Sequence, residues 1–294
     1  MSVLVTGASG FVGRTLCALL QEKGYTVKPV SRSDTGDLGP HTDWRAHLQG
    51  VTGIVHLAAR VHMMRDASDD PLALYRRVNA AATIGLAEAA REAGVRRLVY
   101  VSSIKVNGDE STQPLTASDA VHPIGPYAVS KWEAEQSLME MQSDIETVIL
   151  RPPLVYGPGV KGNFRRLIEI VYARTPLPFA NVNNKRSLIG VANLADAISW
   201  ALTAPPGLYL PSDGEDVSTP ELIRAIAAAL NRPTRLVPFP LSLIRLAGYI
   251  TGRRAAIERL VGSLTVDNAL PGWTPPESFQ SGIDQTAKWF LEHR

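Results

Sequence analysis

A tyrosine and a lysine four residues apart are the side chains of this sequence best suited to proton transfer. Tyr127 and Lys131 stand in a segment with helical spacing that runs from Pro126 to about Met141. Residues four apart share one face of a helix, so the ammonium would favour the phenolate and lower the tyrosine pKa from about 10. Ser103 would hydrogen-bond the same substrate oxygen and complete a general acid/base site. Such a pair also occurs as an ordinary surface pair, so its chemistry depends on the elements around it.

A strand, a glycine-rich turn and a helix open the chain. Ser2–Thr6 is an apolar run typical of a strand buried on both faces of a parallel sheet. Gly7, Gly10 and Gly13 follow it, and helical spacing resumes at Arg14. This order collects free backbone N–H groups and the positive end of a helix dipole at one point, which suits a pyrophosphate. The turn therefore predicts a dinucleotide site, although its spacing is G-x-x-G-x-x-G rather than G-x-G-x-x-G.

The end of the second predicted strand bears on the choice of dinucleotide. Tyr25–Val30 runs into Ser31 and Arg32, where NAD-selective folds usually place an acid. A small residue followed by a guanidinium suits a ribose 2′-phosphate. We therefore expect NAD or NADP, with NADPH slightly favoured by Arg32. In the alternative, Arg32 is a solvated loop residue and Asp34 binds the ribose.

Two further predicted strands end in residues that fit a cofactor site. Gly53–Ala59 ends in small side chains that leave room for a ligand. Val95–Val101 delivers Ser102 and Ser103 at the edge where open α/β sheets bind ligands. Beside such an edge, Lys131 would also hold the nicotinamide ribose.

Composition excludes several other classes of protein. The 294 residues include 30 basic and 28 acidic side chains that are interspersed, so no basic stripe indicates a nucleic-acid partner. Cys17 is the only cysteine, which excludes an internal disulfide and fits a reducing, cytoplasmic location. Leu241–Ile250 is too short to span a bilayer, so we expect a packed helix there and no membrane partner. His56 and His62 lack the further ligands of a metal site, so no metal is expected.

Five motifs occur in a characteristic order along the chain. They are TGASGFVG at 6–13, HLAA at 56–59, the serine pair at 102–103, Tyr127-x-x-x-Lys131, and RPPLVYGPG at 151–159. Together they resemble the extended short-chain dehydrogenase/reductase family, most closely its NAD-dependent epimerase/dehydratase branch, which acts on nucleotide sugars.

The resemblance implies a fold and an assembly. It implies an α/β protein in which a Rossmann-like doubly wound parallel sheet over residues 1–156 binds NAD(P). A smaller C-terminal α/β lobe over residues 157–294 would mainly bind substrate, with part of that chain returning to the first domain. It also implies a homodimer formed by the helices at about 79–93 and 126–141.

The resemblance also assigns roles to residues at the first sheet. Ser103, Tyr127 and Lys131 would form the catalytic triad, and Asn79 would support it from a helical pattern over 72–93. The implied cofactor contacts are Gly7, Ser9, Gly10, Phe11, Val12, Gly13, Ser31, Arg32, Leu57, Ala58, Ala59, Asn79, Tyr127, Lys131 and Pro153.

In the second half of the chain the resemblance implies contacts with a UDP-sugar. Asn163 matches an asparagine that contacts the nucleotide sugar, Phe179 lies in a segment expected against the uracil, and Arg186 matches an arginine that pairs with the diphosphate. With Ser103, these are the implied substrate contacts. Candidates for a second diphosphate arginine are Arg253, Arg254 and Arg259.

Three positions depart from the family pattern, and a fourth bears on which reaction the enzyme catalyses. Ser31 replaces an acid, Asn107 a frequent tyrosine and Asn193 a frequent aspartate, so cofactor choice and substrate contacts are expected to differ there. Members that eliminate water from the sugar carry an acidic pair directly after the catalytic serine or threonine. Ile104 cannot transfer a proton, which disfavours a 4,6-dehydratase.

Two enzymatic reactions use these same residues. A 4-ketoreductase would reduce a UDP-4-keto-6-deoxy-N-acetylhexosamine in surface-polysaccharide (O-antigen) biosynthesis. A 4-epimerase would act on UDP-glucose or UDP-N-acetylglucosamine, removing the C4 hydride and returning it to the opposite face. Residues 62–66, 160–164 and 264–267 resemble the reductases, and Arg32 suits NADPH, so the sequence favours reduction. The alternative of another class is a non-catalytic dinucleotide sensor, against which the intact tyrosine–lysine pair argues.

Overall fold

The computed structural model describes residues 1–61, 70–252 and 254–294. Its strands are β1 (Ser2–Thr6), β2 (Thr26–Val30), β3 (Gly53–His56), β4 (Arg97–Val101), β5 (Glu146–Leu150), β6 (Leu154–Tyr156), β7 (Arg186–Gly190), β8 (Gly207–Tyr209) and β9 (Asp216–Val217). Its α-helices are α1 (Phe11–Glu22), α2 (Arg32–Thr35), α3 (Arg45–Leu48), α4 (Pro71–Tyr75), α5 (Ala82–Glu92), α6 (Gly125–Glu140), α7 (Gly162–Tyr172), α8 (Val191–Ala201), α9 (Thr219–Ala229), α10 (Leu241–Ile250), α11 (Arg254–Val261) and α12 (Phe279–Glu292). A π-helical segment, Arg76–Ala81, joins α4 to α5, and a 3-10 turn, Ile104–Val106, follows β4.

Six parallel strands form the sheet of the first lobe, in the order β2-β1-β3-β4-β5-β8. Thr6 pairs with both Val30 and His56, so the three strands end level with one another. β2 and β3 lie on opposite sides of β1. The direction in which successive strands are added to the sheet therefore reverses at β1. A crevice opens at such a point outside the carboxyl ends of the strands, and it is where ligands bind in doubly wound folds. The predicted Rossmann-like fold is confirmed.

Helices cover both faces of this sheet, which is why its central strands, such as β1 and β3, are buried almost throughout. On one face Leu16 of α1 and Leu194 of α8 join the core. On the other face the core includes Leu86 of α5 and Leu138 of α6. Although α8 follows β7 in the chain, it packs here, and β8 then pairs with β5. The division of the chain at residue 156 into a cofactor domain and a substrate domain stays a prediction.

The second lobe is a small mixed sheet with helices around it. β7 pairs in parallel with β6 and antiparallel with β9. Helices α7, α9 and α12 pack with this sheet around an apolar cluster that includes Tyr156, Phe164, Ile223 and Phe290.

Residues 263–267 tie the two lobes together through backbone hydrogen bonds. On one side the Leu264 N–H donates to the Lys185 carbonyl at 2.9 Å, directly before β7. On the other side the Ser111 N–H donates to the Ser263 carbonyl at 2.8 Å. The loop that follows β4 is therefore joined directly to the second lobe.

Helix α10 differs from its expected packing. Ile244 is buried, but Leu246 is 51% exposed and Ile250 73% exposed. The expectation of a packed helix is right for one side only, because the core of the second lobe reaches just one face of α10. Among residues 1–61, 70–252 and 254–294, no helix combines the length and apolarity needed to cross a bilayer.

Candidate active site

The three predicted catalytic side chains meet at the carboxyl end of β4. Ser103 follows this strand, while Tyr127 and Lys131 lie one turn apart on α6, and Ser103 is close enough to Tyr127 to act on the pKa of its hydroxyl. The Lys131 Nζ donates to the Val101 carbonyl at 2.9 Å and lies 4.6 Å from the centre of the Tyr100 ring. Backbone and ring together fix the ammonium within the crevice of the sheet.

The pKa of Tyr127 moves in the opposite direction from the one expected. Burial raises it to about 12, and the Tyr75 ring adds to this, while the hydrogen bond with Ser103 opposes it. Burial also lowers the pKa of Lys131 to about 7, against the pull of Glu135. The expected lowering is therefore wrong for this structure, because removing both groups from water outweighs the attraction between them.

Asn79 holds α6 in place from the π-helical segment. Its Oδ1 accepts from the Arg60 N–H at 2.7 Å, and its Nδ2 donates to the Arg60 carbonyl and to Ser130 Oγ at 3.1 and 3.0 Å. Ser130 Oγ in turn donates to the Tyr127 carbonyl at 2.9 Å. Asn79 thus joins the loop after β3 to the turn of α6 that carries Tyr127 and Lys131. Its supporting role at the active site stays a prediction.

The glycine turn has the shape that a dinucleotide requires. Gly7 has a φ of +68°, and a Cβ there would lie 2.9 Å from the Ala58 nitrogen. A Cβ at Gly13 would lie 2.7 Å from the Ala8 Cα. Gly10 precedes α1 and offers no side chain to the first N–H groups of that helix. A bare helix end beside close-packed glycines fits a pyrophosphate.

The other expected cofactor contacts line the same edge of the sheet. Ser9 is exposed at the tip of the turn, and Phe11 and Val12 begin α1. The Ala58 N–H, after β3, donates to Thr6 Oγ1 at 3.2 Å. Leu57 and Ala59 flank it, and Pro153 is buried after β5. Their contacts with a dinucleotide stay predictions.

Ser31, Arg32 and Asp34 form a small capped turn at the end of β2. The Asp34 carboxylate accepts from the Ser31 N–H and Oγ at 2.7 and 2.8 Å, and these bonds lower its pKa. The Arg32 Nε lies 3.2 Å from Asp37 Oδ1, and both side chains are largely exposed. Both the expected phosphate-binding arginine and the alternative ribose-binding acid are therefore at this strand end.

His56 has a structural place in the first lobe. Its ring nitrogens hydrogen-bond Thr6 Oγ1 at 2.7 Å and Thr83 Oγ1 at 3.0 Å, and burial lowers its pKa to about 3. The ring is therefore neutral at physiological pH. Throughout the described residues no group of three His, Cys, Asp or Glu side chains could hold a metal ion. His62 lies outside the described residues.

A buried ion pair beneath α6 is a feature that motif reasoning missed. The Arg151 guanidinium binds Glu135 with two nitrogens, one of them Nε at 3.0 Å, and its Nη1 donates to Asn107 Oδ1 at 2.8 Å. Arg151 and Glu135 are 1% and 0% exposed. Asn107, expected to alter substrate contacts, instead ties the loop after Ser103 to this pair.

The expected substrate residues of the second lobe differ in their surroundings. Asn163 is exposed at the start of α7, whereas Phe179 is 6% exposed within the core. The Arg186 Nη1 donates to the Gly262 carbonyl at 3.0 Å, and burial lowers the pKa of this guanidinium. Substrate binding by these three residues stays a prediction.

Arg259, one of the candidates for a second diphosphate arginine, lies near Arg186. Its positive charge contributes to the lowered pKa of Arg186, while Asp109 and Glu110 act in the opposite sense. Arg253 lies outside the described residues.

Asn193 does not face a substrate site. Its Nδ2 donates to Asp213 Oδ1 at 2.7 Å and to the Glu277 carbonyl at 2.9 Å, and its side chain is 1% exposed. The expectation that it alters substrate contacts is wrong, because the side chain joins α8 to the segments before β9 and α12.

Three residues around the catalytic pair escaped sequence reasoning. The Tyr75 ring packs edge-on against Tyr127, with 6.3 Å between ring centres. Tyr100 lies under the Lys131 ammonium, and Ser130 joins Asn79 to α6. Tyr100 lies in the apolar strand before Ser102, which is a weak signal, but no pattern in the sequence links Tyr75 to a helix 50 residues away.

Comparison with known proteins decides the family. A family model described as the NAD-dependent epimerase/dehydratase family matches residues 3–209. The chain belongs to this family. The resemblance drawn from the motifs is confirmed, and the protein is an NAD(P)-dependent enzyme by its family and by the turn that fits a dinucleotide.

Individual relatives extend over the whole chain. A UDP-glucose 4-epimerase from Vibrio cholerae is 41% identical over 314 residues, which cover 99% of this chain and 96% of the relative. The Thermus thermophilus UDP-glucose 4-epimerase in complex with NAD superposes with a TM-score of 0.78 at 24% identity, over 99% of each chain. RMD from Pseudomonas aeruginosa, complexed with NADPH, superposes with a TM-score of 0.77 at 23% identity, over 100% of this chain and 99% of RMD. At these identities the two superpositions show a shared fold.

Proposed function

We propose that this member of the family epimerises a UDP-hexose at C4, with UDP-glucose or UDP-N-acetylglucosamine as substrate. The observation that carries the proposal is the meeting of Ser103, Tyr127 and Lys131 in the crevice beside the glycine turn. Ile104, which cannot transfer a proton, follows the serine and argues against dehydration.

Two points support epimerisation over the reduction that the motifs favoured. The Vibrio cholerae relative, similar over nearly the whole chain, is a UDP-glucose 4-epimerase. Arg32, which suggested NADPH, lies 3.2 Å from Asp37. The negative charge of Asp37 opposes binding of the ribose 2′-phosphate that distinguishes NADPH. Residues 62–66, which resembled the reductases, lie outside the described residues. A place in surface-polysaccharide biosynthesis stays a prediction.

The chain's own residues move the proton at the sugar O4. Bound NAD⁺ would supply a hydride acceptor beside C4, so that loss of the C4 hydride and its return to the other face of the sugar would invert C4. In its phenolate form Tyr127 accepts the O4 proton as the hydride leaves and gives it back afterwards, while Ser103 hydrogen-bonds O4. Lys131, when charged, favours the phenolate form of Tyr127 and thereby its role as a base.

The second lobe would hold the UDP moiety. Arg186 and Arg259 bring two guanidinium groups near each other, which suits the two charges of a diphosphate. Asn163 is exposed at the start of α7 for a contact with the nucleotide sugar. Phe179 would contact the uracil through the part of its ring that the core leaves uncovered.

The proposed resident cofactor is NAD⁺. Epimerisation returns the hydride to the substrate, so no net reductant is consumed and a reducing pool is not required. The residues that would hold it are the glycine turn, Ala58 and Lys131. Extraction of the purified protein and chromatography of the released dinucleotide tests this choice: NAD⁺ supports it, and NADP(H) overturns it.

Turnover of defined sugars tests the function. The protein is incubated with UDP-glucose, with UDP-N-acetylglucosamine, and separately with a UDP-4-keto-6-deoxy-N-acetylhexosamine plus NADPH. The proposal expects a 4-epimer from one of the first two and no loss of NADPH absorbance in the third. Consumption of NADPH without any epimer would identify a reductase. No turnover in any arm, with dinucleotide bound, would identify a sensor.

The proposed assembly is a homodimer through the helices at 79–93 and 126–141. A groove of about 500 Å³ runs along this helix pair, lined by apolar residues such as Ala80 and Ile84. The Arg76–Glu133 ion pair, at 2.6 Å, lies in its wall. Sedimentation equilibrium of the protein checks the assembly, and a monomer overturns it. The cytoplasmic location and the absence of a nucleic-acid partner stay predictions.

A further inference from the structure

Helix α10 has two apolar faces, and the fold covers only one of them. Ile244 is 4% exposed and packs with Leu241 against the core of the second lobe. Leu243, Leu246 and Ile250 follow the i, i+3, i+7 spacing of a separate stripe, and they are 47%, 51% and 73% exposed. A surface helix of a globular protein usually has a single apolar stripe, which faces the core. The second stripe of α10 is therefore suited to a partner outside this lobe.

Apolar exposure is concentrated around this helix. Tyr249, also on α10, is 72% exposed, and Val237 and Phe239 in the segment before it are 40% and 41% exposed. Within the described part of the chain, six of the eleven exposed large hydrophobic side chains lie between residues 237 and 250. We call these six the α10 patch: Val237, Phe239, Leu243, Leu246, Tyr249 and Ile250. Large exposed apolar patches on a protein surface usually mark a site that binds a protein, a membrane or a ligand.

Arginines outnumber acidic residues around the α10 patch. Residues 222–257 include six arginines and neither aspartate nor glutamate, in a chain whose net charge is only +2. Arg235 is exposed two residues before Val237, and Arg245 is exposed within α10. Glu258 of α11 lies 3.3 Å from Arg245 and offsets part of this charge. The patch is thus an apolar surface beside exposed guanidinium groups, which suits an anionic partner with an apolar interior.

We infer that the α10 patch docks on the surface of an anionic lipid bilayer. Its apolar side chains would enter the boundary between headgroups and acyl chains, and its arginines would contact lipid phosphates. A ten-residue helix is about 15 Å long, half the thickness of the hydrocarbon core, so it lies in the plane of the membrane. The expected absence of a membrane partner rested on span length, which has no bearing on surface docking.

A second copy of the chain fits the patch less well. A symmetric contact through α10 would bring the arginines of both copies together, which costs free energy. An anionic bilayer instead complements those arginines.

Vesicle sedimentation of the full chain tests the inference. We expect the protein to sediment with vesicles containing phosphatidylglycerol, to remain in solution with phosphatidylcholine alone, and to be released by high salt because screening weakens the arginine contacts. Leu246→Gln combined with Ile250→Gln should weaken sedimentation about tenfold. Arg235→Gln combined with Arg245→Gln should weaken it and reduce its dependence on salt.

A matched variant and an oligomer measurement separate the outcomes. Leu291→Gln changes an apolar residue of α12 that is 38% exposed, and it should sediment like the wild type. Thermal unfolding checks that every variant is folded. Failure of the wild type to sediment with anionic vesicles, or equal sedimentation of the folded Leu246→Gln/Ile250→Gln variant, overturns the inference. Dissociation of a wild-type oligomer by that double variant also overturns it, because a second copy would then occupy the patch.

Discussion

Spacing along the chain predicts that Tyr127 and Lys131 lie together, but distant neighbours decide the ionisation of the two side chains. Tyr127 and Lys131 are four apart, and this alone predicts that they share a face of α6. Their pKa values of about 12 and about 7 follow from burial, with contributions from Tyr75 and Glu135. Tyr75 is 52 positions before Tyr127, and no periodic pattern joins them. The sequence thus predicts that Tyr127 and Lys131 lie together, whereas their pKa values depend on the folded structure.

Tyr127→Phe tests the proton transfer at this site. The change removes the hydroxyl and keeps the ring that packs against Tyr75, so the fold should be unaffected. We expect kcat for the UDP-sugar to fall by about 10²–10⁴-fold, the usual contribution of general acid–base catalysis. Steady-state kinetics measure this, and Tyr25→Phe, in the turn before β2, should keep wild-type kcat. Full activity of Tyr127→Phe on the true substrate would refute the mechanism.

Lys131→Met tests the buried ammonium through the pH dependence of stability. The folded-state pKa of about 7 lies below the ordinary value of 10.5, so the folded protein binds fewer protons than the unfolded chain between these values. The free energy of unfolding therefore rises with pH in that window, and the cost of the buried charge is greatest below pH about 7.

We expect the Lys131→Met variant to lose this rise and to show a shallower dependence of stability on pH. Urea unfolding at several pH values between about 7 and 10.5 measures it. Lys288→Met, on the exposed side of α12, is the control and should keep the wild-type slope. Parallel curves for Lys131→Met and the wild type would show that Lys131 does not titrate in this range.

At the scale of elements, α6 is held from both sides of the turn that carries Tyr127 and Lys131. Asn79 and Ser130 tie it to the loop after β3, and Glu135 ties it to Arg151 after β5. The first four strands, the glycine turn and α6 itself were predictable because hydrophobic spacing and glycines mark them locally, whereas β5 and the later strands were not identified one by one. The π-helical segment and the buried ion pair were not, because each depends on side chains brought together by tertiary packing.

Glu135→Gln tests the ion pair that supports α6. It leaves the buried Arg151 guanidinium without its counter-charge, so we expect unfolding free energy to fall by about 3–5 kcal/mol. Replacing both partners, by Glu135→Leu with Arg151→Met, should destabilise less because no charge is left unpaired. Urea denaturation provides the comparison.

The matched control for this pair lies on the surface. Arg165 and Glu169 are 3.0 Å apart on α7 with 34% and 50% of their side chains exposed. Because water screens such a pair, Glu169→Gln should cost less than about 1 kcal/mol. Similar losses for Glu135→Gln and Glu169→Gln would mean that the buried pair adds no particular support.

At the scale of the molecule, the two lobes do not divide the chain cleanly. α8 and β8 follow β7, yet they complete the face and the edge of the first sheet. The family resemblance implied that part of the chain returns, but helical and strand patterns do not say which sheet a late element joins. The pairing of β8 with β5 and the packing of α8 identify the segment that returns to the first sheet.

A fragment of residues 1–156 tests how far the first lobe depends on this return. It lacks α8 and β8, so Leu16 and Leu20 of α1 lose their cover and β5 becomes an exposed edge. We expect no cooperative unfolding transition and no dinucleotide binding, in contrast to the full chain. Far-UV circular dichroism during urea titration, with fluorescence titration of NADH, measures both. A fragment that folds cooperatively and binds dinucleotide would support an independent domain ending at residue 156.

The link through residues 263–267 has a consequence for synthesis of the protein. The Thr265 N–H donates to Ser111 Oγ across 154 positions of the chain. On the ribosome, the loop that follows Ser103 therefore emerges long before residues 263–267, which it contacts. Contacts between residues so far apart in sequence form slowly. We expect the loop that follows Ser103 to be among the last regions to become ordered, so that a stalled or shortened translation product has a complete glycine turn but an unfinished candidate active site.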